Sequence, residues 1–245
     1  MRALLIKELS SFFASITGYL VIIIFLIIIG LFTWVFPGQF NLLDMGYANL
    51  DSLFILSPWI FLFLVPAVTM RLFSEEKKGG TLDTLLTRPI SDLTIVMAKF
   101  FTGLLLVLLA LVPTFIYYIT IHNYGNPVGN LDSGAIMGSY IGLFFLAAIY
   151  VSIGLYASSM TENQIIAFLF GAVISFVFFF GFDAIGSLPI FKNIASIIYF
   201  FGISEHYKSI SRGVIDTRDV IYFLSIISFF ILLTKTKLTS RKWNE

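Results

Sequence analysis

Charge is nearly absent from six long stretches of the sequence, and five of them are close to the length a helix needs to cross a bilayer. A hydrocarbon core about 30 Å thick takes roughly 20 mostly apolar helical residues. The stretches run over residues 18–36, 53–70, 99–121, 134–160, 164–181 and 220–234, the last of them short. A further apolar run, 188–203, is broken by Lys192 and Asn193, and its clean part is too short to cross. It reads as a re-entrant or interfacial helix within an outer loop region, residues 182–219. Ahead of the first span, Leu5, Leu9, Phe12, Phe13 and Ile16 recur at helical spacing, with Lys7, Glu8 and Ser11 elsewhere around the wheel. That pattern predicts an amphipathic helix over residues 1–16 lying in the membrane interface; an extension of the first span is the other reading.

The stretch between the second and third spans, residues 71–92, is polar and punctuated. Gly79-Gly80 breaks the chain, and Thr81 is expected to cap a new helix, with Asp83 facing its positive end. Leu82, Leu85 and Leu86 then share one face. The proline at 89 ends the segment, since the residue before proline avoids the α region, and Ser91 is placed to cap the next helix. A short helix of this kind suits insertion into a groove on a partner. It can equally rest its leucines on the membrane or on neighbouring helices.

Composition agrees with the spans. Hydrophobic residues make up 58% of the 245 and charged residues 12%, with a mean hydropathy of +0.97. Soluble domains carry roughly twice that charge. The fold expected is all-α: an integral membrane protein of six transmembrane helices forming one domain over residues 1–245. Cytoplasmic segments attract Lys and Arg. Placing both termini inside puts eleven of the fifteen basic residues there and leaves Lys192, Lys208, Arg212 and Arg218 outside. The first apolar run is too long for a cleavable signal and no small-x-small site follows it.

Several chemistries are argued against. No glycine is followed directly by lysine, so the phosphate-binding G-x-x-x-x-G-K-[ST] loop is absent and ATP hydrolysis is not expected in this chain. Ion-coupled carriers place ionisable groups within their spans. Here Lys99 reads as the inner end of the third span and Asp183 as just past the fifth. With no cysteine, and with His122 and His206 both assigned to outer loops, no metal or nucleophile cluster is expected. Glu205-His206 reads as a solvated loop pair and Glu162 as a polar cap beside Asn163. Gly134, Gly138 and Gly142 form a small-residue stripe for close helix packing, within the subunit or in a dimer. Pro66 and Pro113 are candidate kinks, and Trp34, Trp59 and Trp243 fit interfacial belts.

Four segments carry a family resemblance. The run FSEEKKGGTLDTLLTRPIS (73–91) resembles the coupling-helix region of ABC-2 type permeases. YASSMTENQ (156–164), SISRGVIDTRD (209–219) and the opening IKEL with Tyr19-Leu20 are similar to other parts of that family. The nearest likeness is to gliding-motility-associated permease subunits, with nitrous-oxide-pathway permeases as relatives. The resemblance implies a six-span permease of the bacterial inner membrane, resembling type V exporters, with both termini cytoplasmic. Its partners would be separate ABC ATPase subunits, which bind ATP and Mg, and a homodimer mate or second permease subunit, in some cases one with a large outer domain. Membrane lipid is expected as surroundings and nucleic acid is not. The implied ATPase contacts are Glu75, Glu76, Lys77, Gly79, Thr81, Leu82, Leu85 and Leu86. A non-transporting membrane scaffold is the alternative from a different class.

Overall fold

The computed structural model describes residues 1–86 and 89–240. Arg88, Arg241, Lys242 and Trp243 lie outside the described residues, as do the side chains of Asp83 and Leu86. Among the described residues six helices are long and apolar enough to cross a membrane, and no strand occurs. A separate first helix, α1 (Arg2–Ala14), precedes them. The first span is α2 (Ile16–Gly30), continued by a π-turn over Leu31–Val35. The second is α3 (Asp51–Lys78), and the short α4 (Thr81–Leu86) follows it. The third joins α5 (Asp92–Leu111) to α6 (Phe115–Tyr124) through a 3-10 turn at Val112–Thr114, which holds Pro113. The fourth is α7 (Ser133–Met160). The fifth joins α8 (Gln164–Phe176), a π-turn at Val177–Gly181 and α9 (Phe182–Gly186). After a 3-10 turn at Pro189–Phe191 come α10 (Ala195–Phe200), α11 (Ile203–Ser211) and the last span, α12 (Thr217–Thr239).

Local chemistry sets several helix starts. Ser91, Asp132, Asn163 and Asp216 each accept a backbone N–H of the following turn through their side chains, which satisfies one of the orphan donors of a helix start. The capping role expected of Ser91 is met by Thr94 N at 3.2 Å. Thr81, expected as a cap, is instead the first residue of α4. The residue before it, Gly80, takes φ +66°, a conformation favourable only to glycine.

The helix α7 runs through the middle of the bundle. It packs on α3, α5, α8, α11 and α12, and its interior is closed by small residues. A Cβ on Gly154 would run into Thr69 of α3, and one on Gly103 of α5 would meet Val151 at 2.9 Å. The spans formed by α2 and by α8–α9 sit outside this core, and most of their apolar side chains face outward. That is the arrangement for helices whose solvent is lipid or another membrane subunit.

Four spans differ in their boundaries from the sequence expectation, all for one reason. Hydropathy marks where a helix is apolar, and backbone hydrogen bonding continues past that point. Residues Arg71–Lys78, expected in a loop, extend α3 by two turns, held by an Arg71–Glu75 pair at 2.9 Å. The third span begins at Asp92, so Lys99 lies two turns inside the helix. The fifth runs to Gly186 and takes in Asp183, and the sixth reaches 23 residues. The run 188–203 is not one helix: α10 has six residues, about 9 Å of rise, and no part of the run crosses the bundle.

Candidate functional site

The polar side chains converge at the end of the bundle that carries residue 1 and residue 240. There Thr239 Oγ1 donates to Asp92 Oδ2 at 3.1 Å, tying α12 to the start of α5. Ser158 Oγ of α7 accepts from the backbone N–H groups of Phe73 and Ser74 and donates to Met70 O. Lys77 donates to the Ser159 carbonyl. The last turns of α3 are thus fixed to the last turn of α7. Just beyond them Gly79 and Gly80 turn the chain into α4.

Inside this end lies a fully buried lysine. Lys99 Nζ is 3.1 Å from Glu8 Oε1, 2.9 Å from Glu76 Oε2 and 2.6 Å from Leu72 O, with the Phe73 ring 5.1 Å away. The bond to Glu8 is a formed hydrogen bond, whereas Glu76 Oε2 approaches without hydrogen-bond alignment. The other oxygen of Glu76 accepts from Lys7 at 3.1 Å. Burial would lower the Lys7 ammonium, but the bond and charge of Glu76, together with Glu8, outweigh it and raise its pKa above the ordinary lysine value. Two carboxylates and two ammonium groups therefore balance at the junction of α1, α3 and α5. A second tie, Arg71 to Ser15 Oγ at 3.2 Å with its guanidinium over Phe12, holds the far end of α1.

This corrects the expected wheel of the first helix. Glu8, assigned to the polar face, is buried beside Phe12 and faces the bundle, and Ile16 is largely exposed. Lys99, assigned to an interfacial end, has no exposed surface. The missed signal was a single lysine seven residues after Asp92 in an otherwise uncharged run. Its partner Glu8 is 91 residues away in sequence.

Between α1 and α4 an open groove of about 480 Å³ is walled by Ala3, Leu4 and Lys7 on one side and Thr81, Leu85 and Ile90 on the other, with Glu76 at its base. Of the residues expected to meet a partner, Glu75 is exposed, Glu76 and Lys77 are held in intramolecular bonds, and Gly79 and Thr81 are exposed. Leu85 is half-buried. Leu82 corrects the expectation for the leucine face: it is fully buried in this chain's own core and cannot reach a partner. Leu86 belongs to α4, and its side chain lies outside the described residues.

Residues 10–181, more than two thirds of the chain, match the family described as ABC-2 family transporter protein. The chain belongs to that family. No curated protein matches it. Membership makes this a multi-pass membrane permease subunit of an ABC transporter. The matched stretch takes in α3, α4 and the glycine break, and therefore the groove.

At the far end of this ABC-2 permease, α10 and α11 lie beyond the matched residues. There α11 covers the glycine stripe. A Cβ on Gly138 would sit 2.5 Å from Ile210 O, and one on Gly142 would sit 3.1 Å from the Tyr207 ring; Gly134 meets only Asp132 Oδ1 at 3.4 Å. The Tyr207 hydroxyl donates to Phe54 O at 2.8 Å. That carbonyl is free because Pro58, four residues on, has no N–H to offer it. Burial pushes the Tyr207 phenol up, with Ser211 pulling the other way. His206 is a further correction, because it is not a solvated loop residue. It is buried, with Nδ1 2.6 Å from Asp219 Oδ1, Nε2 2.8 Å from Phe200 O and its ring stacked on Tyr222. Both ring nitrogens thus face acceptor oxygens. Among the described residues no group of three His, Asp or Glu is placed to hold a metal ion.

Proposed function

We propose that this permease subunit takes its energy from a separate ABC ATPase, which docks at the groove between α1 and α4. The observation that carries the reading is that groove, set against the glycine break, in a family member whose sequence has no phosphate-binding loop. Movement of the ATPase would act on α4, and Leu82, packed in the core, would pass it to the bundle. Two copies, or this chain and a second permease subunit, would pair through outward apolar faces such as those of α2 and α8. The stripe at Gly138 and Gly142 is already occupied by α11. Residues 73–91 resemble gliding-motility-associated permeases, which supports a bacterial inner-membrane complex that exports a substrate or delivers force for motility.

The test is retention of the native ATPase when the full chain is purified in mild detergent. Leu85→Asp alters the groove wall, where Leu85 is half-buried at the edge of the core, and Lys78→Glu alters its exposed approach away from the core. Each should insert normally and weaken ATPase retention by about tenfold or more, the scale of losing an interface anchor. Full retention by both would sink the docking site. Retention of an ATPase whose turnover never responds to membrane extracts would favour the scaffold instead.

A further inference from the structure

We infer that Lys99 is a positioning residue: it fixes α1 against the α3–α4 corner and so builds the groove in which the ATPase docks. The inference rests on that docking reading and adds the residue that makes the site rigid. Three observations meet here. Lys99 has no exposed surface, yet it spends its ammonium group on side chains from two other segments, Glu8 of α1 and Glu76 of α3. Glu76 lies two residues before the end of α3, and the same carboxylate reaches Lys7 on α1. Lys7 and Glu76 also line the groove itself. The third span, the first helix and the docking corner are therefore joined through one carboxylate.

Stability alone is a poor reason for this cluster. Buried ion pairs are commonly replaced by apolar groups of similar volume at no loss, because desolvation offsets their attraction. What they supply is a fixed geometry, since an unpaired member is costly in any other arrangement. An apolar face would let α1 slide along the bundle. A hydrogen-bonded Glu8–Lys99 pair sets its register and rotation, and with them the distance from Leu4 to Leu85 across the groove.

The experiment combines a charge-swap cycle with a direct measurement of the groove. The sequence has no cysteine, so spin labels at Ala3→Cys and Thr81→Cys, both exposed, report the α1–α4 distance in the full chain. ATPase affinity is measured separately on unlabelled protein. Glu8→Lys and Lys99→Glu should each broaden the distance distribution and weaken ATPase binding by about tenfold or more. The double swap brings opposite charges together at positions 8 and 99 but sets the new carboxylate at 99 against Glu76, so it is made together with Glu76→Gln and should restore the distance. If Lys99→Glu does not insert, Glu8→Leu decides alone: it keeps Lys99 paired with Glu76, removes the acceptor on α1 and frees only that helix. Singles with an unchanged distance, or a folded double swap that restores nothing, would overturn the inference. A wild-type chain that binds no ATPase would remove the docking reading, while the distance measurement would still decide whether Lys99 holds α1.

Discussion

At the scale of single residues, this permease places its few charges where apolar side chains would have satisfied the packing. Lys99 is enclosed with two carboxylates, and removing one member of such a buried set leaves an uncompensated charge costing about 3–5 kcal/mol. Lys7 differs because its side chain remains 60% exposed at the mouth of the cluster, so water screens its contribution. Its pKa is nevertheless raised, the pull of Glu76 and Glu8 exceeding the cost of burial. A raised folded-state value means that protonated Lys7 stabilises the folded form. That contribution is complete below the ordinary value of 10.5 and disappears as pH climbs through the raised one. The stability difference between the wild type and Lys7→Gln should therefore be constant near pH 8 and shrink as pH rises beyond 10.5. Denaturant titration of both proteins across that range measures it, and a difference that grows with pH would contradict the assignment.

Among the helices, α11 shows how a short segment beyond the matched family region is held. It has nine residues and does not cross the bundle. It is seated by the carbonyl that Pro58 frees, by the His206–Asp219 contact with α12 and by the glycine face of α7. The glycines make this testable because they differ in what lies opposite. Gly138 faces backbone, which cannot move aside, and Gly134 faces only a side-chain oxygen. Gly138→Ala should cost about 1–3 kcal/mol through overpacking, despite the gain in helix propensity. Gly134→Ala should be neutral or stabilising by up to about 1 kcal/mol. Reversible unfolding of the two variants gives the comparison, and equal effects would mean that α11 does not lie on the stripe.

For the molecule as a whole, the sequence made the six spans readable because uncharged length is a local property. It marked the glycine break and the start of α5 for the same reason, since Gly80 and Ser91 act on their immediate neighbours. It hid the contacts that shape the two ends. Glu8 with Lys99, Tyr207 with Phe54 and His206 with Asp219 each join residues whose proximity arises only after the bundle forms. The remaining property legible from sequence is orientation. Among the described residues the end with residues 1 and 240 carries Arg2, Lys7, Arg71, Lys77, Lys78, Lys235 and Lys237 on or near its surface, and the far end carries Lys192, Lys208, Arg212 and Arg218. The far-end cations fall in one connection, and the two other far-end connections contain none. Basic residues flanking short connections set which side faces the cytoplasm, so the end with residues 1 and 240 should be cytoplasmic. Lys78→Cys and Lys192→Cys each introduce a unique thiol. A membrane-impermeant maleimide applied to intact cells or spheroplasts should label the cysteine at 192 and reach that at 78 only after lysis. Labelling of position 78 in sealed membranes would invert the molecule and remove the groove from the side where ATP is made, overturning the docking reading together with the topology.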